Sequence, residues 1–148
     1  MIVTQSMMNG LLERAEAVML RGDGYVETWI DPYGVVYDLH PVYAAVLQDF
    51  DAENFVSVML PDKLICAIER VCCDPNYLKK LRGPRLLHPL LVDPEGKIID
   101  GNHRAVKRHK LGQKVAPGYR VSADVIEAAR LTSGKSILPC SAGLALVP

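Results

Sequence analysis

The stretch Leu86-Leu87-His88-Pro89-Leu90-Leu91-Val92-Asp93-Pro94-Glu95-Gly96-Lys97-Ile98-Ile99-Asp100-Gly101-Asn102-His103-Arg104 decides how this chain is read. Residues 86–92 form an apolar run that enters as a strand. Asp93-Pro94-Glu95-Gly96 supplies a turn, because proline pre-sets its second position and glycine relieves its last. Residues 97–100 return as a second strand. Asp100-Gly101-Asn102-His103-Arg104 then opens a helix that runs to Leu111 and stops at Gly112. An acid, a flexible glycine, an amide, an imidazole and a guanidinium therefore meet where a strand gives way to a helix. Free backbone N–H groups at a helix start bind anions, glycine lets a phosphate approach the backbone, and Arg104 adds a planar fork of donors. His103 could donate to a phosphate oxygen or shuttle a proton, and Asp100 could hold Mg²⁺ or orient His103. The plainer alternative is that Asp100 caps the helix while His103 and Arg104 decorate its first turn.

Upstream, Met7, Met8, Leu11, Leu12, Ala15, Val18 and Met19 recur every three or four residues and predict an amphipathic helix over 6–20. Residues 25–30 and 35–38 read as two strands joined by Asp31-Pro32-Tyr33-Gly34, a turn of the same pattern as the one at 93–96. A short helix is predicted at 41–47, a strand at 55–60, and a helix from Pro61 to Asp74 whose apolar face is Leu64, Ala67, Ile68 and Val71. Lys79, Lys80, Arg82 and Arg85 follow in a loop, or in a short helix running into a loop. Downstream, 115–121 reads as a strand, and Ser122 caps a last helix over 123–131.

The chain has 148 residues, 49% of them hydrophobic and 23% charged, which suits one globular domain rather than two. No apolar run is long enough to span a bilayer, and the opening residues lack a basic region ahead of an apolar one, so the expected location is the cytoplasm, with no membrane partner. Formal charge is zero, yet it divides sharply. Residues 1–62 hold two bases against ten acids, net −8, and residues 63–148 hold fifteen against seven, net +8. That asymmetry suits either a basic surface for phosphate-bearing ligands or two segments that attract each other. Cys66, Cys72, Cys73 and Cys140 show no zinc-type spacing and read as free thiols. Ser133-Gly134-Lys135-Ser136 lacks the leading glycine and strand of a phosphate-binding loop.

Residues 86–117 resemble the core of the ParB/sulfiredoxin superfamily. Leu86-Leu87-His88-Pro89-Leu90-Leu91-Val92 is similar to the Leu-Gln-Pro-Ile-x-Val strand of ParB-like proteins, with His88 in place of glutamine. Gly101-Asn102-His103-Arg104 is similar to their G-x-x-R box, Gly112 lies eleven residues after Gly101, and Pro117 falls where their next strand has its proline. The resemblance implies an α+β fold with a small mixed sheet flanked by helices. It extends over 55–131 as a nucleotide-binding core; residues 1–54, an acidic N-terminal helix and hairpin extension, have no counterpart in it, and the C-terminal tail over 132–148, poor in charge and apolar at its end, is expected to pack on the domain or on another copy. Sulfiredoxins carry a cysteine where this chain has Asn102, so their nucleophile is missing. The family's free serine kinases have Asp-Gly-His-His-Arg, nearest to residues 100–104.

The expectation is thus a module that binds a nucleoside triphosphate, ATP or CTP with Mg²⁺. Gly101, Asn102, His103, Arg104, Lys107, Arg108 and His88 would hold the nucleotide, Asp100 the metal, and Asp100 with His103 any catalysis. Phosphoryl transfer, triphosphate hydrolysis and phosphodiester cleavage all fit that set. The alternative from another class is a non-enzymatic accessory factor of plasmid or phage type, binding DNA or a protein partner through the basic half.

Overall fold

A computed structural model describes residues 1–21, 27–31 and 33–131. Thr4 accepts a hydrogen bond from the Met7 N–H and so starts α1 (Gln5–Met19), which buries Leu11, Ala15 and Val18 along one stripe. β1 (Thr28–Ile30) and β2 (Val36–Asp38) form an antiparallel hairpin in which Trp29 lies opposite Tyr37, their rings stacked 5.0 Å apart. The Asp38 side chain then accepts from the His40 N–H and opens α2 (Leu39–Gln48), which begins earlier than the periodicity predicts because this cap precedes the proline. A 3-10 turn at Ala52–Asn54 leads into β3 (Phe55–Met59), α3 (Asp62–Cys72) and α4 (Pro75–Lys80). A second 3-10 turn, Gly83–Leu87, precedes β4 (Leu90–Val92) and β5 (Ile98–Asp100). α5 (Asn102–Lys110), β6 (Val115–Arg120) and α6 (Ala123–Ala128) follow. Among the described residues no helix is long and apolar enough to cross a membrane.

The fold is α+β. β3, β6, β4 and β5 lie side by side in that order, β4 running parallel to β6 and the other neighbours antiparallel. Both faces of this sheet are covered. Phe55, Leu91, Ile99 and Tyr119 pack with α1, α2, α6 and the hairpin, while Val58, Leu90, Val92 and Ala116 pack with α3 and α5. α1, the hairpin strands and α2 therefore form one layer of the same body as the sheet.

The two Asp-Pro-x-Gly turns are built alike. Asp31 Oδ1 accepts from the N–H groups of Tyr33 and Val35, and Asp93 Oδ1 from those of Glu95 and Lys97. In each, the glycine N–H closes the turn on the aspartate carbonyl, at 3.0 and 2.9 Å. The likeness between the two stretches is that of a shared turn.

Three sequence expectations are corrected. The strand expected over 86–92 is confined to Leu90–Val92, because Pro84 and Pro89 lack the N–H that a ladder requires and the chain takes a 3-10 turn between them. The buried stripe of α3 is Ile65, Ile68 and Cys72, one position round from the face expected, and Leu64 is exposed. Cys66 is exposed, Cys72 buried and Cys73 half-buried. The last helix ends at Ala128, three residues short of the expectation. Cys140, the Ser133–Ser136 motif and the tail lie outside the described residues.

Candidate functional site

β5 ends on Asp100, and Gly101, at φ +107°, turns the chain into α5 with no side chain capping its first turn. The expected cap is absent because the Asp100 carboxylate points at other partners. Arg14 of α1 donates from Nε to Oδ2 at 3.0 Å and from Nη2 to Oδ1 at 3.3 Å, and the Tyr43 hydroxyl of α2 donates to Oδ2. Arg104 Nη2 approaches the same oxygen at 3.6 Å. Arg14 also pairs with Glu27, and its guanidinium lies 5.8 Å from the centre of the Tyr43 ring. Burial pushes the Asp100 carboxyl up, but the neighbouring Arg14 and Arg104 charges outweigh it and hold the group well below the ordinary carboxylate range. Burial, then Asp100, push the Tyr43 hydroxyl up, so it stays a donor.

Arg104 is 7% exposed, so it does not decorate an open first turn. Its Nη2 donates to the Pro89 carbonyl at 3.3 Å, and its Nε has no hydrogen-bond partner among the described residues. His103 accepts on Nε2 from the Asp74 N–H at 2.9 Å, and Tyr77 packs against its ring, centroids 4.7 Å apart. That bond uses the lone pair of Nε2, so the neutral ring carries its proton on Nδ1. Burial lowers the imidazole pKa against the opposing pull of Asp74 and Asp100. His103 is thereby a donor, and it could take up a proton only by breaking its bond to Asp74. His88 is buried, with Nε2 3.5 Å from Glu13 Oε1; burial and then Arg104 lower its pKa.

A cleft of about 670 Å³ opens over this turn, walled by α1 and β1 on one side and by the start of α4 on the other. His88 and the run from Asp100 to Arg104 line it, together with Arg14 and Arg85. Two expected ligand residues are elsewhere. Lys107 does not line the cleft, and Arg108 is buried away from it, donating to Gln113 Oε1 at 2.8 Å. Burial, then the Arg104 charge, lower the Arg108 pKa. The rest of the basic helix is partly paired: His109 contacts Asp62 at 2.6 Å and Lys110 contacts Glu69 at 2.7 Å.

The expected metal and catalytic roles of Asp100 do not fit this arrangement. Its oxygens already accept from Arg14 and Tyr43, the guanidinium groups of Arg14 and the buried Arg104 stand beside it, and a divalent cation would have to displace them. Among the described residues no group of three or more His, Cys, Asp or Glu side chains could hold a metal ion.

Arg14 and Tyr43 are the site residues that sequence reasoning missed. The signal for Arg14 was present: it lies three positions after Leu11 and four before Val18, on the edge of the apolar stripe, where an arginine needs a buried counter-charge. No protein-family model, no curated protein and no solved structure matches the chain.

Proposed function

We propose that the protein is a nucleoside triphosphate-binding module of the ParB/sulfiredoxin-like kind, holding the phosphates at the start of α5. The supporting observation is the uncapped first turn of α5, entered through Gly101, on the wall of a cleft large enough for a nucleotide. The N–H groups of Asn102, His103 and Arg104 and the Nδ1–H of His103 would serve as donors to phosphate oxygens. Arg85, exposed at the cleft and free of any ion pair among the described residues, adds a charge that steers polyanions inward.

Binding is favoured over turnover. Asp100 is committed to two arginines, and the free nitrogen of His103 is a donor rather than a base. Magnesium would enter with the triphosphate, held by phosphate oxygens and water. The accessory-factor reading keeps the exposed Lys79, Lys80, Arg82 and Lys114, which have no ion pair among the described residues, while Arg108, His109 and Lys110 are engaged within the fold.

Thermal shift and titration calorimetry across ATP, CTP, GTP and UTP, with and without Mg²⁺, test this reading. At least one triphosphate should raise the melting temperature, and Arg85→Ala should weaken its binding by about 1 kcal/mol at low ionic strength and by less as salt is added. No stabilisation by any of the four would refute it.

A further inference from the structure

We propose that β3 is a dimerisation edge, pairing antiparallel with β3 of a second copy about a two-fold axis at Ser57. β3 ends the sheet and has β6 as its sole strand neighbour among the described residues. The Leu60 N–H donates to the Lys114 carbonyl of the strand-entry segment. By alternation, Val58 and Val56 also direct their backbone groups at β6, so Ser57 and Met59 direct theirs outward. Natural proteins protect such edges with lysine, proline or a bulge, and Phe55-Val56-Ser57-Val58-Met59 has no charge and no proline. Ser57 and Met59 are exposed on that strand. Met59 is 64% exposed and sits opposite Val115, 43% exposed, which leaves an apolar strip beside the open edge.

Charge favours a second copy as the occupant. The exposed acids Asp49, Asp51 and Glu53 precede β3, and the exposed Lys63 and Lys114 flank its other end; none of the five has an ion-pair partner among the described residues. Antiparallel self-pairing brings the acidic end of one strand to the basic end of the other. Centred on Ser57, it lets the Ser57 N–H and C=O of each copy bond to those of its partner, and each Met59 N–H bond to the Phe55 C=O of the other copy. Both copies then contribute to one continuous sheet, with each Met59 side chain beside the other copy's Phe55. The candidate cleft lies across β5 at the opposite edge of the sheet, so pairing leaves it open.

Sedimentation equilibrium of the full chain from low to high micromolar concentration, with Ser57→Cys and Met59→Lys variants, tests the pairing. The parent should sediment at twice its 16.3 kDa chain mass. Met59→Lys, a change at an exposed position, should shift it to monomer while its thermal melt stays cooperative. Ser57→Cys should form an intermolecular disulfide under mild oxidant, since directly opposed residues of a hydrogen-bonded pair lie about 5.5 Å apart between Cα atoms, within disulfide range. The parent, whose exposed Cys66 is the control, should not cross-link. A monomeric parent, a dimer unaffected by Met59→Lys, or a Ser57→Cys variant that cross-links no more than the parent would each overturn the proposal.

Discussion

Asp100 holds the site together by charge. Removing it leaves the buried Arg104 without a counter-ion and Arg14 with Glu27 alone, so Asp100→Ala should cost about 3–5 kcal/mol in urea unfolding. A loss under about 1 kcal/mol would mean that the cluster is solvated. The folded carboxyl has its pKa depressed, so its contribution is complete above the ordinary value of 3.8 and is lost as pH falls toward the lower folded value. Stability of the parent should therefore decline below about pH 4 more steeply than that of Asp100→Asn. The histidines act at milder pH. His88 and His103 have folded pKa values lowered by burial, so what they contribute is present above the ordinary 6.5 and falls as pH drops below it. NMR titration of the His103 ring should give a midpoint below 6.5, with Nε2 the unprotonated nitrogen at neutral pH; a midpoint above 6.5 would remove the argument that this residue is a donor.

At the scale of elements, α5 depends on how Gly101 lets β5 turn into it. A Cβ there would stand 2.7 Å from Leu90 Cδ2 and from Arg104 Nη2, on a backbone at φ +107°. Gly112, at φ +87°, has open space around it. Gly112→Ala should thus cost about 1 kcal/mol of backbone strain alone, and Gly101→Ala distinctly more while also weakening triphosphate binding. Equal losses of stability in the two variants would contradict the close packing at Gly101. This turn was legible in the sequence, as were α1, the hairpin and the run from β4 to α5, because each follows from local periodicity or from proline and glycine placement. The α3 stripe was misread by one position, since two neighbouring apolar stripes run along that helix and only packing on the sheet selects Ile65, Ile68 and Cys72. The partners of Asp100 were not legible either. Arg14 and Tyr43 are 86 and 57 residues away, and no local pattern encodes a contact of that range.

At the scale of the whole molecule, the acidic and basic halves interlock. Glu13 meets His88 and Asp62 meets His109 across the division, while Arg14, a base of the acidic half, binds Asp100 of the basic one. Part of the charge asymmetry is therefore spent inside the fold rather than on a ligand. It also makes α1 a wall of the cleft instead of an appendage: Arg14→Met should destabilise the protein and reduce triphosphate affinity together, since Arg104 shares the carboxylate that Arg14 holds. Loss of stability with unchanged affinity would separate the helix from the site. The claim on which the functional reading stands is that phosphate binds at the first turn of α5, and amide-resolved NMR during titration with each of the four triphosphates tests it most directly. Saturable shifts of the Asn102, His103 and Arg104 amides are expected with at least one nucleotide; amides there that stay unmoved by all four, or move only where nucleotide binds elsewhere, would contradict it.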